Sequence, residues 1–578
     1  MLTWKTHYNR WINEEGLEKT FHDELLEMTD QAQLEEHFHT YLQFGTAGIR
    51  GILGPGTNRL NIYIVRKAAA GLAEYILEQG EGAKQRGVVI AYDNRHQSPE
   101  FAIEVAKTLG YHGIQSYVFE SLRTTPELSF AIRHLKTAAG IMITASHNPP
   151  EYNGLKIYGD DGGQVTSEVG EAIVKKVNGV ENELIIPVAD EGDLEASGLL
   201  KKIGSEVDEA YLEHLLSVNL DQALIDRMGS DVKIVFTPFH GTGLRPVREG
   251  LRRAGFSQVE VVKEQAVPDP DFSTVKSPNP EEHAAFELAI EQGKKMDADL
   301  LIGTDPDADR MGVAVKFPKG EYGVLTGNQI GAIIFHYLLH KRKEAGTLPD
   351  NGVMLKSIVT SDLGKSIAEN FKVDTIDVLT GFKYISEKIE EFSHTGEKEF
   401  LFGYEESYGY LIEDFTRDKD GVQACLFIAE VAAYYKEKGL NLYDGLMEIF
   451  KEYGYYKEHI ESLRMEGIEG ANKITEILSD LRKNPPLEIA GEKVVVFEDY
   501  KSKKRKKVAL DKEEEIELPQ ANVLKWTLAD GSWVCARPSG TEPLIKFYFG
   551  VKADSLGASE EQLSKLKDAM LKKAMESN

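Results

Sequence analysis

The sequence predicts an α/β fold, with three related α/β domains and a smaller C-terminal α+β domain around a central cleft. Two observations support this. After about the first forty residues, short strand-like runs alternate with helical stretches, a pattern typical of α/β domains. In addition, one unit appears three times: a strand and a helix, then a second strand that ends in a polar loop. Because ligands of open α/β sheets bind beyond the carboxyl ends of the strands, the three loops are expected to meet in one cleft.

The individual elements follow from the spacing of apolar residues. The first forty or so residues carry helical patterning, at Leu17, Phe21, Leu25, Leu26 and Leu34. The first strands of the three units are predicted at 86–93, 231–237 and 352–356, and the helices that follow them at about 99–109, 246–254 and 362–371. The second strands are predicted at 140–143, 299–302 and 400–402.

The C-terminal part of the chain has a different pattern. Its last polar loop lies between predicted strands at 533–535 and 545–548, and a terminal helix is predicted from about Ser559. We therefore place the domain limits at 1–205, 206–318, 319–450 and 451–578. A chain of 578 residues is long enough for several separate cores.

Composition excludes several classes of function. The formal net charge of -27 disfavours nucleic acid and acidic lipid as partners. The chain has two distant cysteines, Cys425 and Cys535, and no apolar run long enough to span a bilayer, so we expect a cytoplasmic protein without membrane contact. We expect a monomer or weak homodimer, although composition does not determine the oligomeric state. The basic run 503–507 is followed by acidic residues at 511–515, which favours a solvated hairpin or loop over a targeting or nucleic-acid patch.

Ser146, in the first polar loop, is a candidate nucleophile. A serine hydroxyl needs a base, a metal or a positive environment to react at neutral pH. His147 is adjacent, Lys156 follows a glycine-containing turn, and 148–150 is an Asn-Pro-Pro sequence that restricts the loop. A lone serine beside a histidine is usually a turn residue that caps backbone groups. The whole stretch 144–156 favours a catalytic loop instead.

The second polar loop predicts a metal site. Asp305, Asp307 and Asp309 alternate directly after a buried strand, so a short turn can direct all three carboxylates to one point. Three close anions repel one another unless a hard cation joins them, and oxygen ligands favour Mg²⁺. A calcium-binding EF-hand loop would need glycine and glutamate where this chain has Arg310 and Lys316. A phosphate oxygen on Ser146 would be a natural further ligand.

The remaining loops offer groups that bind sugars and phosphates. Glu405 and Ser407 provide an acceptor and a hydroxyl for a sugar, and Arg417 and Lys419 add cations nearby. Arginine binds phosphate in a bidentate manner, and hydroxyls and glycine backbone add donors. A phosphate cradle of this kind is predicted at Arg537, Ser539, Gly540 and Thr541, although a hairpin with a structural arginine fits as well. Arg50 is a further cation in a glycine-rich loop.

Taken together, these loops resemble those of the α-D-phosphohexomutase family, with the bacterial phosphoglucomutases as the nearest group. The resemblance runs from about Phe44 to Tyr548. It implies four domains around a deep cleft, a phosphoserine at Ser146, and Mg²⁺ held by that group and the three aspartates. The implied catalytic residues are Arg50, Ser146, His147, Lys156, Arg310 and Lys419. The implied substrate-binding residues are Gly381, Phe382, Lys383, Glu405, Ser407, Arg417, Arg537, Ser539, Gly540 and Thr541. Phe382 stands where the family's Thr-Gly-Trp-Lys loop has tryptophan, which leaves its role in specificity open.

The implied reaction interconverts glucose 1-phosphate and glucose 6-phosphate through glucose 1,6-bisphosphate, which is both intermediate and activator. The sequence does not rank His147, Lys156 and Lys419 as the group that deprotonates the attacking hydroxyl. A phosphomannomutase or phosphopentomutase would carry the same serine and metal loops. A metal-dependent phosphosugar phosphatase and a non-catalytic phosphosugar-binding protein are further alternatives.

Overall fold

The structure is a computed structural model that describes residues 3–45, 48–465, 467–539 and 544–576. In the described residues, the helices in chain order are α1 Trp4–Ile12, α2 Lys19–Glu27, α3 Gln31–Phe38, α4 Ile62–Glu78, α5 Glu81–Arg86, α6 Ser98–Tyr111, α7 Thr125–Leu135, α8 Ser167–Gly179, α9 Glu191–Ser197, α10 Ser205–Leu215, α11 Gln222–Met228, α12 Leu244–Ala254, α13 Glu287–Met296, α14 Gly327–Ala345, α15 Leu363–Phe371, α16 Lys383–Thr395, α17 Gly421–Glu437, α18 Leu442–Tyr453, α19 Gly467–Lys483 and α20 Leu556–Glu576.

The strands in the same residues are β1 Gly48–Ile52, β2 Val88–Tyr92, β3 Ser116–Phe119, β4 Ala139–Ile143, β5 Tyr152–Tyr158, β6 Leu200–Ile203, β7 Lys233–Thr237, β8 Gln258–Val261, β9 Leu300–Thr304, β10 Met311–Lys316, β11 Tyr322–Val324, β12 Gly352–Ser357, β13 Asp374–Val378, β14 Glu399–Glu405, β15 Gly409–Leu411, β16 Tyr455–Arg464, β17 Glu488–Ile489, β18 Glu492–Asp499, β19 Lys504–Lys507, β20 Lys512–Glu515, β21 Leu524–Leu528, β22 Trp533–Pro538 and β23 Leu544–Ala553.

The first three sheets share one design. Their strand orders are β1-β5-β4-β2-β3-β6, β11-β10-β9-β7-β8 and β13-β12-β14-β15. The central pairs β2–β4, β7–β9 and β12–β14 are parallel, and antiparallel strands extend one side of each sheet. β4 and β9 are continuous apolar runs buried along their whole length, as expected of strands covered on both faces. The predicted polar loops follow β4, β9 and β14, at the carboxyl ends of these strands.

The fourth sheet is antiparallel, in the order β16-β23-β22-β21-β18-β19-β20, with β17 paired to β18. α19 and α20 contribute Ile477, Leu478 and Met570 to a core that the sheet completes with Trp526 and Phe547. The charged run 503–507 forms a hairpin, because β19 pairs with the acidic strand β20. The predicted fold class, three α/β units and a C-terminal α+β unit, is confirmed.

The predicted elements are present, with ends shifted by a few residues. The helix predicted at 99–109 is α6, those predicted at 246–254 and 362–371 are α12 and α15, and the terminal helix begins at Leu556 rather than Ser559. β11 belongs to the second sheet although it lies beyond the predicted limit at 318. The domain limits themselves stay a prediction.

The helical patterning of the first forty residues corresponds to α1–α3, which pack through Trp11, Leu25 and Phe38 against Tyr63 of α4. None of the helices in the described part of the chain combines the length and apolar character that a membrane crossing requires.

Candidate active site

Ser146 lies just after β4 in a strained turn that directs its hydroxyl into the protein. Its φ is 52°, in the left-handed region that residues other than glycine rarely adopt. Its backbone N–H donates to Thr144 Oγ1 (2.8 Å), and its side chain is almost fully buried. Ser146 Oγ donates to Asp305 Oδ2 at 2.8 Å and lies 3.2 Å from His147 Nδ1. The chain therefore brings the predicted nucleophile of the first unit to the acidic loop of the second.

The acidic loop joins β9 to β10 and is buried. Asp305, Asp307 and Asp309 each have a carboxylate oxygen within 4.8 Å of the others, and their exposure is 2% or less. Burial and the neighbouring aspartates raise the pKa of Asp305 well above its ordinary value. Asp307 Oδ1 and Asp309 Oδ1 are buried and accept no hydrogen bond from the described residues. Clustered carboxylates with unsatisfied oxygens fit a divalent cation that prefers oxygen ligands.

Two lysines from different units approach the same aspartates. Lys156, on β5, lies 2.8 Å from Asp307 Oδ2 and 3.6 Å from Asp309 Oδ2. Lys419 Nζ lies 2.9 Å from Asp309 Oδ2 and 3.2 Å from Asp418 Oδ1. Burial lowers the pKa of each lysine, but these carboxylates outweigh it and raise the pKa of both. Both ammonium groups are therefore held in the charged form.

His147 has the opposite electrostatic environment. Burial, followed by the positive charges of Arg310 and Arg50, holds the pKa of His147 well below its ordinary value. Arg310 Nη1 donates to Glu281 Oε1 at 3.0 Å, and Arg50 Nη1 donates to Asn148 Oδ1 at 2.9 Å. At neutral pH the imidazole next to Ser146 is thus uncharged.

The loop after β14 forms one wall of the same region. Glu405 accepts a hydrogen bond from the Gly381 N–H at 2.7 Å, which joins it to the loop before α16. Burial and the adjacent Glu406 raise the pKa of Glu405 to about 7. The ring of Phe382 lies 5.6 Å from Lys419 Nζ, so the position that departs from the family pattern contacts the predicted lysine.

This wall is attached to the acidic loop. The Met311 N–H donates to the Tyr408 carbonyl at 3.1 Å, and Ser407 lies in the partly exposed turn directly before it. Lys383 instead points toward the first unit, with Nζ 3.4 Å from Ser167 Oγ.

Arg417 has contacts that the sequence did not anticipate. Its side chain is 2% exposed, and its Nε lies 3.2 Å from Glu390 Oε2. A second ion pair, from Nη1 to Asp414 Oδ2, measures 3.2 Å. These ion pairs engage the buried guanidinium with two partly exposed carboxylates, so they give no support to substrate binding by Arg417, which stays a prediction.

The predicted distal phosphate cradle is described only in part. Arg537 is the last residue but one of β22 and pairs in register with Lys546 of β23, and the Ser539 N–H donates to the Leu544 carbonyl at 2.8 Å. Gly540 and Thr541 lie outside the described residues. Tyr548, beside Arg537 in this sheet, lines a cavity of about 230 Å³ with Glu406 of the β14–β15 loop.

Sequence reasoning missed three residues that support the site. Arg95, 2% exposed, lies beneath the Ser146 turn, Thr125 Oγ1 donates to Asp307 Oδ2 at 3.0 Å, and Glu281 holds Arg310. Arg95 and Thr125 follow shortly after β2 and β3. The rule that functional residues follow the carboxyl ends of parallel strands could have identified these two. Glu281 lies in a long irregular segment and has no comparable signal.

A buried hydroxyl beside a carboxylate cluster and several fixed cations defines a site for metal-assisted phosphoryl transfer. Comparison with known proteins agrees with this class. Sequence models of the phosphoglucomutase/phosphomannomutase family match the chain as alpha/beta/alpha domain I at residues 41–183, domain II at 209–317, domain III at 326–453 and the C-terminal domain at 489–573. The chain belongs to this family, as the resemblance of its loops predicted.

Curated relatives are similar over most of their length. A phosphoglucomutase of Staphylococcus haemolyticus is 42% identical over 90% of this chain and 92% of its own length. One of Staphylococcus epidermidis is 41% identical over 96% of this chain and 98% of its own. Among solved structures, a Paramecium phosphoglucomutase, parafusin, in an open form matches with a TM-score of 0.67 at 17% identity, covering 93% of this chain and 94% of its own, which supports the shared fold.

Proposed function

We propose that this protein interconverts glucose 1-phosphate and glucose 6-phosphate through a phosphorylated Ser146 and a glucose 1,6-bisphosphate intermediate. The observation that carries the proposal is the 2.8 Å contact between Ser146 Oγ and Asp305, within the three-aspartate cluster. The curated relatives named phosphoglucomutase support glucose as the sugar.

In the first step, the phosphoryl group of phosphoserine 146 passes to the free hydroxyl at carbon 6 of glucose 1-phosphate. The bond between phosphorus and Ser146 Oγ breaks and a bond from phosphorus to the sugar oxygen forms. The hydroxyl proton of the sugar passes to a base, and the leaving Ser146 Oγ takes up a proton. The product is glucose 1,6-bisphosphate. Free bisphosphate also phosphorylates an unmodified Ser146, which accounts for its role as activator.

In the second step, the bisphosphate is bound in the opposite orientation and its 1-phosphoryl group passes to Ser146 Oγ. The bond from phosphorus to the oxygen on carbon 1 breaks, that oxygen takes up a proton, and glucose 6-phosphate leaves. The proton on Ser146 Oγ must be removed, and two acceptors are in reach of it: Asp305 Oδ2 at 2.8 Å and His147 Nδ1 at 3.2 Å.

The other residues of the site would bind and orient the transferring group. Lys156 and Lys419 are fixed as cations by Asp307 and Asp309, so we infer that they balance negative charge and do not act as bases. Mg²⁺, held by the three aspartates and an oxygen on Ser146, would neutralise charge on the phosphoryl group. Arg50 and Arg310 would add positive charge on the open side.

The remaining predicted residues would hold the sugar and its stationary phosphate. Glu405 and Ser407, with the loop Gly381–Lys383, are assigned to the sugar hydroxyls. Arg537 and Ser539, with Gly540 and Thr541, are assigned to the second phosphate.

The monomeric or weakly dimeric state stays a prediction that analytical ultracentrifugation can check.

Enzyme assay of the purified protein tests the proposal. With Mg²⁺ and a trace of glucose 1,6-bisphosphate, the wild-type protein should interconvert the two glucose phosphates, and Ser146→Ala should lose at least about 10³-fold in kcat because the phosphoryl acceptor is gone. Ser366→Ala is a matched control, since the Ser366 hydroxyl bonds Tyr456 OH and not the residues of this site. Full activity of Ser146→Ala would refute the phosphoserine route.

A substrate panel tests the choice of sugar. The same protein is assayed with the 1-phosphates of glucose, mannose and a pentose, with inorganic phosphate release followed in parallel. The proposal expects the highest kcat/KM with glucose 1-phosphate and no net phosphate release. A preference for mannose or pentose would redirect the assignment within the family, and stoichiometric phosphate release would make the protein a phosphatase.

A further inference from the structure

Arg95 lies beneath the turn that carries Ser146. It follows β2 in the first unit, and its side chain is completely buried although guanidinium groups are rarely found in interiors. We call residues 144–152, which connect β4 to the start of β5, the serine loop. Arg95 is more than 50 residues from Ser146 in sequence, so its position is a consequence of the fold.

The guanidinium of Arg95 binds the backbone of the serine loop at four points. Nη2 donates to the carbonyl of Ser146 at 2.6 Å and to the carbonyl of Asn148. Nη1 donates to the carbonyls of Pro149 (2.8 Å) and Tyr152 (3.0 Å). The two Nη atoms carry four hydrogens in total, so all of them are used on one loop.

The other side of the guanidinium is also held in place. Arg95 Nε lies 3.4 Å from Asp93 Oδ2, and Asp93 Oδ1 accepts hydrogen bonds from the Arg95 N–H and from Ser98 Oγ. The ring of Phe272, from the second unit, lies 5.0 Å from the Arg95 guanidinium carbon. The orientation of the side chain is therefore fixed by contacts with both units.

The loop that contains Arg95 also joins the first unit to the second. Asn94 Nδ2 donates to the carbonyl of Asp269 at 2.9 Å, and His96 Nε2 lies 2.7 Å from Asp271 Oδ1. Ser146 must meet Asp305 across this same junction. One short loop thus binds both the serine loop and the unit that carries the metal-binding aspartates.

We propose that Arg95 is a positioning residue that holds the serine loop, and with it Ser146 Oγ, in register with the aspartates of the second unit. The inference rests on the proposed function, because it concerns the same phosphoryl transfer. Both Nη atoms of Arg95 are used on backbone carbonyls of the serine loop, so Arg95 would act through Ser146. Only a planar guanidinium offers two nitrogens that can reach four separated carbonyls, whereas a lysine ammonium is a single point.

The test compares Arg95→Lys and Arg95→Ala with the wild-type protein. Since a misplacement of about 1 Å can cost about 100-fold in rate, kcat should fall on the order of 100-fold, while the KM for glucose 1-phosphate changes by less than about 3-fold. Added guanidinium ion should restore part of the kcat of Arg95→Ala by filling the vacated site. Hydrogen–deuterium exchange of peptides that cover 144–152 should be faster in both variants.

Arg66→Lys and Arg66→Ala are the controls, because Arg66 lies in the same unit and bonds Glu104 on its outer helices. They should show unchanged exchange at 144–152 and no response to guanidinium. A folded Arg95→Lys protein with kcat within about 3-fold of wild type, or with unchanged exchange at 144–152, would overturn the inference. If the wild-type protein itself lacks mutase activity, the proposed function fails, and the exchange result alone still decides whether Arg95 holds the loop.

Discussion

Gly154 shows how strongly single residues constrain the serine loop. It lies on β5, between β1 and β4, and a Cβ atom at this position would lie 2.6 Å from the Thr144 carbonyl oxygen and 2.7 Å from that of Ile49. Both are backbone atoms, so no side-chain rotation could relieve the overlap. Gly154→Ala should therefore move the backbone at Thr144, two residues before the nucleophile.

We expect Gly154→Ala to destabilise the protein by about 1–3 kcal/mol, as overpacking does in cores, and to lower kcat. Urea denaturation followed by fluorescence, together with steady-state kinetics, measures both effects. Gly179→Ala is the matched control, since a Cβ there meets nothing within 4 Å. If Gly154→Ala has the stability and kcat of the wild type, the prediction is wrong, because β5 would then move away from β1 and β4 without a loss of free energy.

At the scale of single residues, the sequence predicted those residues that can be recognised from their own loop. Ser146 and the three aspartates were predicted because each lies directly after a buried strand, and the fold brings the two loops together. Arg95 was missed because its partners are backbone carbonyls, so only its place directly after β2 could have indicated a role. For Arg417, proximity to Lys419 in the sequence suggested a shared role, but sequence does not show which way a side chain points, and its guanidinium pairs with Glu390.

At the scale of elements, one buried carboxylate adds polar contacts to the apolar packing that attaches the first three helices to the first unit. Glu183 is fully buried and accepts hydrogen bonds from Arg10 Nη2 (2.8 Å), Trp11 Nε1 (2.7 Å) and Tyr41 OH (2.9 Å). The family models begin at residue 41, so α1–α3 precede the matched part of the chain. Apolar patterning predicted the helices that pack against α4, but it could not have predicted the polar contacts of Glu183.

Glu183→Gln should loosen these helices, because a neutral amide cannot accept all of these hydrogen bonds and leaves Arg10 without its charged partner. We expect a loss of about 1–3 kcal/mol and faster proteolytic cleavage near residues 38–45. Glu181→Gln is the control, because only its backbone carbonyl bonds Arg10. Equal cleavage rates in the two variants would contradict the role assigned to Glu183.

At the scale of the whole molecule, the fold was predictable because its main unit is repeated. The central strands of each repeat are parallel. The polar loops of the three repeats therefore follow the carboxyl ends of these strands and converge. The limits between units were less predictable. β11, for example, completes the second sheet although it follows the turn at which the sequence suggested a domain boundary.

Local concentration of Lys156, Lys419, Arg50 and Arg310 also explains how a chain with a net charge of -27 could bind phosphates.

The cluster of Asp305, Asp307 and Asp309 predicts that a divalent cation stabilises the folded protein. Three buried carboxylates within 4.8 Å repel one another, and the two lysines offset this repulsion only in part. A ligand that binds only the native state at 100 times its Kd adds about 2.7 kcal/mol. Thermal unfolding in saturating Mg²⁺ should therefore occur on the order of 2–5 °C higher than after dialysis against EDTA.

Asp305→Asn should abolish most of this Mg²⁺-dependent shift, since it removes a charged ligand while preserving the side-chain shape. It should also raise the unfolding temperature measured in EDTA, because one source of repulsion is gone. Asp297→Asn provides the matched control: Asp297 pairs with Lys316 on the surface, and its variant should respond to Mg²⁺ as the wild type does. A Mg²⁺ shift that survives in Asp305→Asn would place the stabilising cation elsewhere on this acidic protein.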